Sequence, residues 1–164
     1  GAQGALLPGQ LALAFALAER EQSVLLLELA LERPRFRYVF GEPPSGKGVE
    51  AMLEGNATPA EVVGELGDSG IAIAGVNFPS QRNNLLADNP RLDLFLEYSE
   101  HHYDWTIVDA PDVEGCRAVQ NLARALQPVV LVVRALQTPL VSLRTAISEL
   151  SDRVSFVIMN DQHR

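Results

Sequence analysis

Residues 23–29 read SVLLLEL, and this stretch decides the fold. Its apolar run is not interrupted by polar residues, which is typical of a strand covered on both faces, as in a parallel sheet. Residues 105–108 (WTIV) form a second hydrophobic strand, which ends at Asp109. Strand-like runs alternate with helical patterns along the rest of the chain. We therefore predict an α/β fold with a mainly parallel sheet flanked by helices on both faces.

The remaining elements follow outward from this strand. Thr58 and Pro59 suit the N-cap and first position of a helix, and 90–101 is amphipathic, with Leu92, Phe95, Leu96 and Ser99 on one side. The predicted helices are 11–21, 36–40, 49–53, 59–66, 90–101, 115–126 and 140–150, and the predicted strands are 23–29, 71–74, 105–108, 129–133 and 154–159.

Composition narrows the class of protein. The 164 residues suit one domain, 1–164. The net charge of −8 repels phosphate backbones and argues against nucleic acid as a partner. No apolar run approaches the roughly 20 residues of a membrane span, and no secretory signal is recognisable. A single cysteine, Cys116, excludes an internal disulfide and fits a reducing cytoplasm. We interpret Cys116, His101 and His102 as structural, since they show no zinc spacing.

Residues 4–9, GALLPG, are the first candidate for a ligand site. We predict a glycine-containing loop that enters the helix 11–21, the place where such folds hold phosphate. A phosphate loop needs backbone N–H groups, a Lys and a Ser or Thr for Mg²⁺. This segment has neither Lys nor hydroxyl, so Gly4 and Gly9 are predicted to mark a vestigial nucleotide site. Such loops follow a strand; either that first strand lies outside this sequence, or the fold has lost it.

Two acidic residues end neighbouring predicted strands. Asp109 lies at the carboxyl end of a strand, where α/β sheets bind ligands and a carboxylate orients Mg²⁺ or its waters. The alternative is an Asp that caps the turn before Pro111. Glu28 ends its strand in the same way. It either shares a metal with Asp109 or is an acid at a solvated strand end.

Residues 41–48, GEPPSGKG, imitate a phosphate loop. They fit Gly-x-x-x-x-Gly-Lys but have Gly48 where Ser or Thr should hold Mg²⁺. We interpret them as a surface turn with Lys47, the only lysine of the chain, in solvent.

Two further polar features leave alternatives open. Arg33, Arg35 and Arg37 form a basic cluster. They receive a phosphate or an acidic partner, or they are helix-surface charges that balance Glu28 and Glu32. Asn160 ends the last strand. Its amide reads a base edge, or it is a turn residue.

Several spaced segments together resemble one family. VLLLELALERPRFRYVFG at 24–41 resembles the VLL-I-D-A-D-L-R-R-P segment, followed by Phe-Gly, of the bacterial tyrosine kinases. Residues 48–55 resemble the family's Gly-Leu-x-x-x-Leu-x-Gly turn. YDWTIVDAP at 103–111 resembles the strand that carries the Walker B Asp. These kinases are deviant P-loop ATPases, related to MinD and ParA proteins, so the resemblance implies that fold.

The departures from the family are informative. By this resemblance, Leu6, Leu7 and Pro8 stand where the phosphate-loop Lys, Ser and Thr are expected. The signature Asp pair becomes Glu28 and Ala30. Asp109 for Mg²⁺ and Asn160 for the base remain, and the C-terminal tyrosine cluster is not in this sequence. A Lys–phosphate contact at ~4 Å is worth about 4 kcal/mol at a dielectric near 20. We therefore expect catalysis to be lost or severely impaired, and ATP and Mg²⁺ to bind weakly or not at all.

The resemblance also implies a biological setting. We expect a cytoplasmic domain in exopolysaccharide or capsule assembly, peripheral to the inner membrane through an integral-membrane polysaccharide co-polymerase or chain-length protein. It would form homo- or hetero-oligomers and act by docking. One alternative is a residual tyrosine kinase or ATPase that uses Lys47. Another is a positioning ATPase of the MinD or ParA type.

Overall fold

The computed structural model describes residues 3–80, 85–113, 117–126, 128–134, 137–150 and 153–160. Contacts divide the chain into two compact units, Pro8–Pro111 and a second unit of Gly1–Leu7 with Asp112–Arg164. The described elements, in chain order, are α1 (Gln3–Ala18), β1 (Val24–Glu28), α2 (Phe36–Phe40), α3 (Val49–Glu54), α4 (Pro59–Val62), β2 (Gly64–Glu65), β3 (Ile71–Ala74), α5 (Pro90–His102), β4 (Trp105–Asp109), α6 (Arg117–Ala125), β5 (Val129–Arg134), α7 (Leu140–Leu150) and β6 (Val154–Asn160).

The unit Pro8–Pro111 contains a four-stranded sheet in the order β2-β3-β1-β4. Strand β1 runs parallel to both of its neighbours, and β2 pairs antiparallel with β3. All five residues of β1 are buried, the four apolar ones as predicted. A buried Leu or Val side chain contributes about 1.5–3 kcal/mol relative to an exposed one. Strand β1 is therefore the buried interior strand of this sheet. The predicted α/β fold with a mainly parallel sheet is confirmed.

The second unit is built on the parallel pair β5–β6. Val119 and Ala123 of α6 pack with Leu150 of α7 to form its buried cluster. The buried positions of α6 recur with helical spacing, which is why one face of this short helix turns inward. Among the described residues, no helix has both the length and the apolar character needed to cross a bilayer.

The predicted loop at residues 4–9 is wrong: these residues lie inside α1, which includes Pro8. Glycine and proline are usual loop markers, and Pro8, in the second turn of α1, costs the helix one backbone hydrogen bond. The surrounding Ala and Leu residues have high helix propensity, and they dominate here. The helix also ends at Ala18 rather than at residue 21, and Glu21 adopts a left-handed conformation with φ of 60°.

The other boundaries agree closely, with one clear error. Helices 36–40 and 140–150 and strand 71–74 have the predicted bounds. The predicted helix 59–66 instead ends at Val62, because Gly64 and Glu65 pair with Ile73 and Ala72 as strand β2. Gly115 and Cys116, at the predicted start of the helix that follows β4, lie outside the described residues.

Candidate functional site

The carboxyl ends of β1 and β4 bring Glu28 and Asp109 side by side. The two residues are partners in the parallel register, and the backbone N–H of Leu29 donates to the carbonyl of Asp109 at 2.8 Å. Their exposed fractions are 0% and 2%. The interpretation of Glu28 as an acid at a solvated strand end is therefore wrong, because the sheet buries it completely.

Glu28 is occupied by backbone donors. Its Oε1 accepts the N–H groups of Arg35 and Phe36, and its Oε2 accepts the N–H of Val76 at 2.9 Å. These bonds fix the start of α2 and the segment that leaves β3. Because both oxygens accept protein N–H groups, Glu28 connects three chain segments and is poorly placed to ligate a metal.

The pKa of Glu28 is raised above its ordinary value of 4.5. Burial is the largest cause, since it penalises the charged form. The N–H groups of Arg35, Val76 and Phe36 act in the opposite direction, and the charge of Asp109 raises the pKa further. The strand ends thus hold two acids close together at an electrostatic cost.

Asp109 has partners on both of its oxygens. Its Oδ2 forms an ion pair with Arg35 Nη2 at 3.2 Å, and its Oδ1 accepts from Gln10 Nε2 at 3.4 Å. The side chain of Arg35 is 20% exposed and that of Asp109 2%. For Arg35, the interpretation as a helix-surface charge that balances Glu28 and Glu32 is wrong, because its guanidinium pairs with Asp109.

Two polar atoms in this cluster lack a hydrogen-bond partner within the part of the chain that the structure describes. They are Arg35 Nε and Gln10 Oε1, and both are buried. Buried polar atoms are usually bonded, so these two mark capacity for a further polar contact. The sequence pointed to neither residue as a partner of Asp109. Gln10 directly precedes the predicted helix 11–21, and Arg35 is one of three arginines that the sequence does not distinguish.

The cluster fits a Mg²⁺–nucleotide site poorly. Residues 4–9 are helical and do not form a loop that could wrap a phosphate. Both oxygens of Glu28 and both of Asp109 already accept protein donors. Within the described ranges, no group of three or more His, Cys, Asp or Glu residues could hold a metal ion. Asn160 ends β6 in the second unit, and its side chain lies outside the described part of the structure, so its predicted contact with a base stays a prediction.

The segment 41–48 is a turn, as predicted. The N–H of Gly46 donates to the carbonyl of Pro43 at 2.8 Å. Lys47 Nζ pairs with Glu61 Oε1 at 3.0 Å, and their side chains are 43% and 44% exposed. The other oxygen of Glu61 accepts from the N–H and hydroxyl of Thr58, which closes the capping box of α4. These contacts, the Thr58 N–H first, lower the pKa of Glu61 to about 2.

Gly48 has a packing role at the point where the phosphate-loop pattern fails. A Cβ at this position would overlap the backbone N of Asn77 and the carboxylate of Glu50. That carboxylate is buried and accepts the N–H groups of Asn77 and Phe78, both at 3.0 Å. Glycine is therefore required here by close contact, while its backbone is ordinary extended chain with φ of −97°.

Helix α2 also borders a small open cavity of about 100 Å³. Arg37 at its rim donates to the carbonyl of Asn77 at 2.8 Å and to Glu42 at 2.9 Å, and its guanidinium lies 5.5 Å from the ring centre of Phe78. The outer side of α2 exposes Tyr38 and Val39. The cavity wall is largely apolar and includes Phe36, Phe40, Pro43, Pro44, Leu66 and Ile73.

Solved kinase domains share this architecture. The chain is similar to the VpsO kinase domain, with 26% identity and a TM-score of 0.77, covering 94% of this chain and 77% of that one. It is also similar to the kinase domain of Escherichia coli tyrosine kinase ETK, with 23% identity and a TM-score of 0.82, covering 100% of this chain and 66% of that one. These likenesses confirm the resemblance to the bacterial tyrosine kinases.

A more distant likeness supports the P-loop type of fold. Cobyrinic acid a,c-diamide synthase from Mycobacterium smegmatis, solved with an ATP analogue and magnesium, matches at 17% identity and a TM-score of 0.65, with 89% of this chain and 65% of that one covered. The chain thus spans just under two thirds of the ETK domain and of this synthase. No family model and no curated protein matches the sequence.

Proposed function

We propose that this chain is a catalytically impaired relative of the bacterial tyrosine kinase domains, which acts as a regulator or scaffold in exopolysaccharide or capsule biosynthesis and export. One observation carries the proposal. The segment that should wrap the phosphates is helical and has neither the Lys nor the Ser or Thr of a phosphate loop.

The loss is large enough to abolish turnover. Removing a single donor that stabilises transition-state charge often costs ~10²–10³ in rate. Here a lysine and two hydroxyls are missing together, and Asp109 is engaged by Arg35 and Gln10. The amine of Lys47 is bonded to Glu61 on a surface turn, so it does not replace the missing lysine.

We further propose that the domain is cytoplasmic and docks on an integral-membrane polysaccharide co-polymerase or chain-length protein. The cytoplasmic segments of membrane proteins are enriched in Lys and Arg. This chain carries a net charge of −8, and Glu42 and Glu65 both line the cavity beside α2, where Glu42 is already paired with Arg37. A basic juxtamembrane segment with one apolar anchor side chain matches both the charge and the size of that cavity. Docking of this kind would place the domain at the inner membrane through its partner.

The catalytic part of the proposal is tested with ATP and Mg²⁺. We expect the wild-type chain to show no ATP hydrolysis and no autophosphorylation above an Asp109→Ala control, with Asp109→Asn as a second control in case the alanine variant unfolds. A thermal-shift titration adds a binding measurement. A ligand at 100 times its Kd stabilises a fold by about 2.7 kcal/mol, so 1 mM nucleotide would be visible at a Kd of about 10 µM. We expect no shift, and turnover above both controls would overturn the proposal.

The docking part is tested with labelled synthetic peptides. A peptide with one Trp or Leu among four arginines should bind the wild-type chain, as measured by fluorescence anisotropy. Glu65→Lys should weaken binding about tenfold, because it reverses a charge at the cavity. Glu19→Lys, in the turn that follows α1, makes the same charge change on an exposed residue elsewhere and is the matched control. Equal loss in both variants would show attraction to net charge alone and would contradict docking at the cavity.

A further inference from the structure

We propose that Arg35 is an internal counter-ion, which holds the position at Asp109 that a divalent cation takes in a nucleotide-hydrolysing site. The inference rests on the proposed function, since it explains how the fold keeps the strand-end acid without metal chemistry. It concerns the residue at the end of β4 and its partners on α1 and just before α2.

The geometry shows how Arg35 is held in place as the ion-pair partner of Asp109. Its Nη2 lies 3.2 Å from Asp109 Oδ2 while its own backbone N–H donates to Glu28. Arg35 therefore contacts both strand-end acids, one with its side chain and the other with its main chain. Because Pro34 is buried and Glu28 anchors the first residues of α2, the start of the arginine side chain is fixed relative to β4.

The charges explain why a cation is needed there. Glu28 and Asp109 are register partners, almost fully buried, and the charge of Asp109 raises the pKa of Glu28. Buried carboxylates need a paired charge or strong hydrogen bonds. In metal-dependent relatives of this fold a divalent ion can supply the positive charge. In this chain the guanidinium supplies it, and it stays in place because it is part of the chain.

The surrounding oxygen atoms indicate what would follow if the guanidinium were removed. Asp109 Oδ2 would lose the positive charge beside it. The Gln10 side chain contacts Asp109 through Nε2, and its Oε1 is buried without a hydrogen-bond partner among the described residues. Carboxylate and amide oxygens are the ligands that Mg²⁺ and Mn²⁺ prefer. A variant without the guanidinium should therefore bind a divalent ion at Asp109.

The test is Mn²⁺ binding, measured by calorimetry and by the electron paramagnetic resonance signal of free Mn²⁺. We expect Arg35→Gln to bind Mn²⁺ at least tenfold more tightly than the wild type, and Mn²⁺ to raise its melting temperature. The double variant Arg35→Gln with Asp109→Asn should lose this gain. Arg37→Ala removes a neighbouring arginine that contacts Asn77 and Glu42 instead, and it should behave like the wild type.

The outcomes separate this inference from the proposed function. Equal Mn²⁺ affinity of the wild type and Arg35→Gln would overturn the counter-ion role, even if the wild type is inert toward ATP. ATP turnover by the wild type would overturn the proposed function, even if Arg35→Gln gains Mn²⁺. Should Arg35→Gln fail to fold, Arg35→Met provides a second uncharged side chain of similar length. If neither variant folds even with Mn²⁺ present, the metal does not substitute for the Arg35 guanidinium, and the inference is wrong.

Discussion

Two ion pairs in this molecule, Arg35–Asp109 and Lys47–Glu61, differ in burial and in what they do. Arg35 and Asp109 form a pair at the end of the central strands, where Asp109 is 2% exposed. Lys47 and Glu61 form a pair on a surface turn, and both side chains are more than 40% exposed. The exposed pair contains Lys47, which matches a phosphate-loop pattern, while the buried pair lies where the chemistry of the fold is expected. Burial, and not the pattern, distinguishes the chemically important pair.

Two glutamates extend the comparison: Glu28 lies beside the buried pair, and Glu61 belongs to the exposed one. Glu28 and Glu61 both accept backbone N–H groups, yet the pKa of Glu28 is raised and that of Glu61 is lowered to about 2. Desolvation is the largest cause for Glu28, and the Thr58 N–H is the largest for Glu61. The N–H donors lower the pKa of both carboxyls, and the net shifts differ in sign because burial outweighs the donors only at Glu28.

The largest expected effect is the loss of stability in Glu28→Ala. This change leaves three buried N–H groups, those of Arg35, Phe36 and Val76, without their acceptor. At about 1–3 kcal/mol for each unsatisfied group, the three groups together predict a loss of roughly 3–9 kcal/mol in the free energy of unfolding. Urea denaturation measures it, with Glu19→Ala as an exposed control. A loss no greater than that of the control would show that Glu28 does not anchor these segments.

The second prediction concerns pH. The pKa of Glu28 is higher in the folded chain than its ordinary 4.5, so the folded state binds more protons above that pH. The contribution of Glu28 to stability is therefore complete below about pH 4.5 and is lost as the pH rises through the folded-state pKa. Urea midpoints of the wild type minus those of Glu28→Gln should fall between pH 4.5 and pH 8. A difference that grows with pH would mean that the N–H donors outweigh burial.

The third prediction is the opposite shift at Glu61. Nuclear magnetic resonance titration of its carboxyl carbon should give a pKa of about 2. Its contribution to stability is then present above about pH 4.5 and is lost as the pH falls through about 2. In Thr58→Ala the pKa should move only part of the way back, because the backbone donor remains. An unshifted wild-type value near 4.5 would show that the capping box is not formed in solution.

The smallest expected effect is that of Lys47→Ala. Exposed ion pairs contribute little because water screens them and two long side chains must be held in place. We expect the urea midpoint to stay within error of the wild type and the pKa of Glu61 to remain well below 4.5. A large loss of stability or of nucleotide affinity in this variant would reverse the contrast between the two pairs and revive a role for Lys47 in phosphate binding.

Much of the fold could be predicted because hydrophobic patterns are local. The buried run of β1 and the alternation of strands and helices suffice for the parallel sheet. The register then places Glu28 beside Asp109, as expected because the carboxyl ends of parallel strands lie at the same edge of a sheet. The prediction of a loop at residues 4–9 rests on Gly4 and Gly9 and is wrong because the helix propensity of the neighbouring Ala and Leu residues dominates in α1.

The site was harder to predict because its contacts join distant parts of the chain. Gln10 and Asp109 are 99 residues apart in sequence, and Arg35 and Asp109 are 74 apart. No local pattern distinguishes Arg35 from Arg33 or Arg37. The sequence offers one signal, an acid at the end of a hydrophobic strand, and its partners become evident only when the sheet brings these segments together.

The packing of Gly48 bears on how this protein could change over evolutionary time. One substitution, Gly48→Ser, would complete the phosphate-loop consensus around Lys47. Yet the first atom of any side chain at this position would displace the backbone of Asn77 or the carboxylate that holds it. The turn is thus one residue from the consensus in sequence, while sterically that step is blocked. A lineage of this chain would regain phosphate binding more readily at a different loop than at the one that resembles it most.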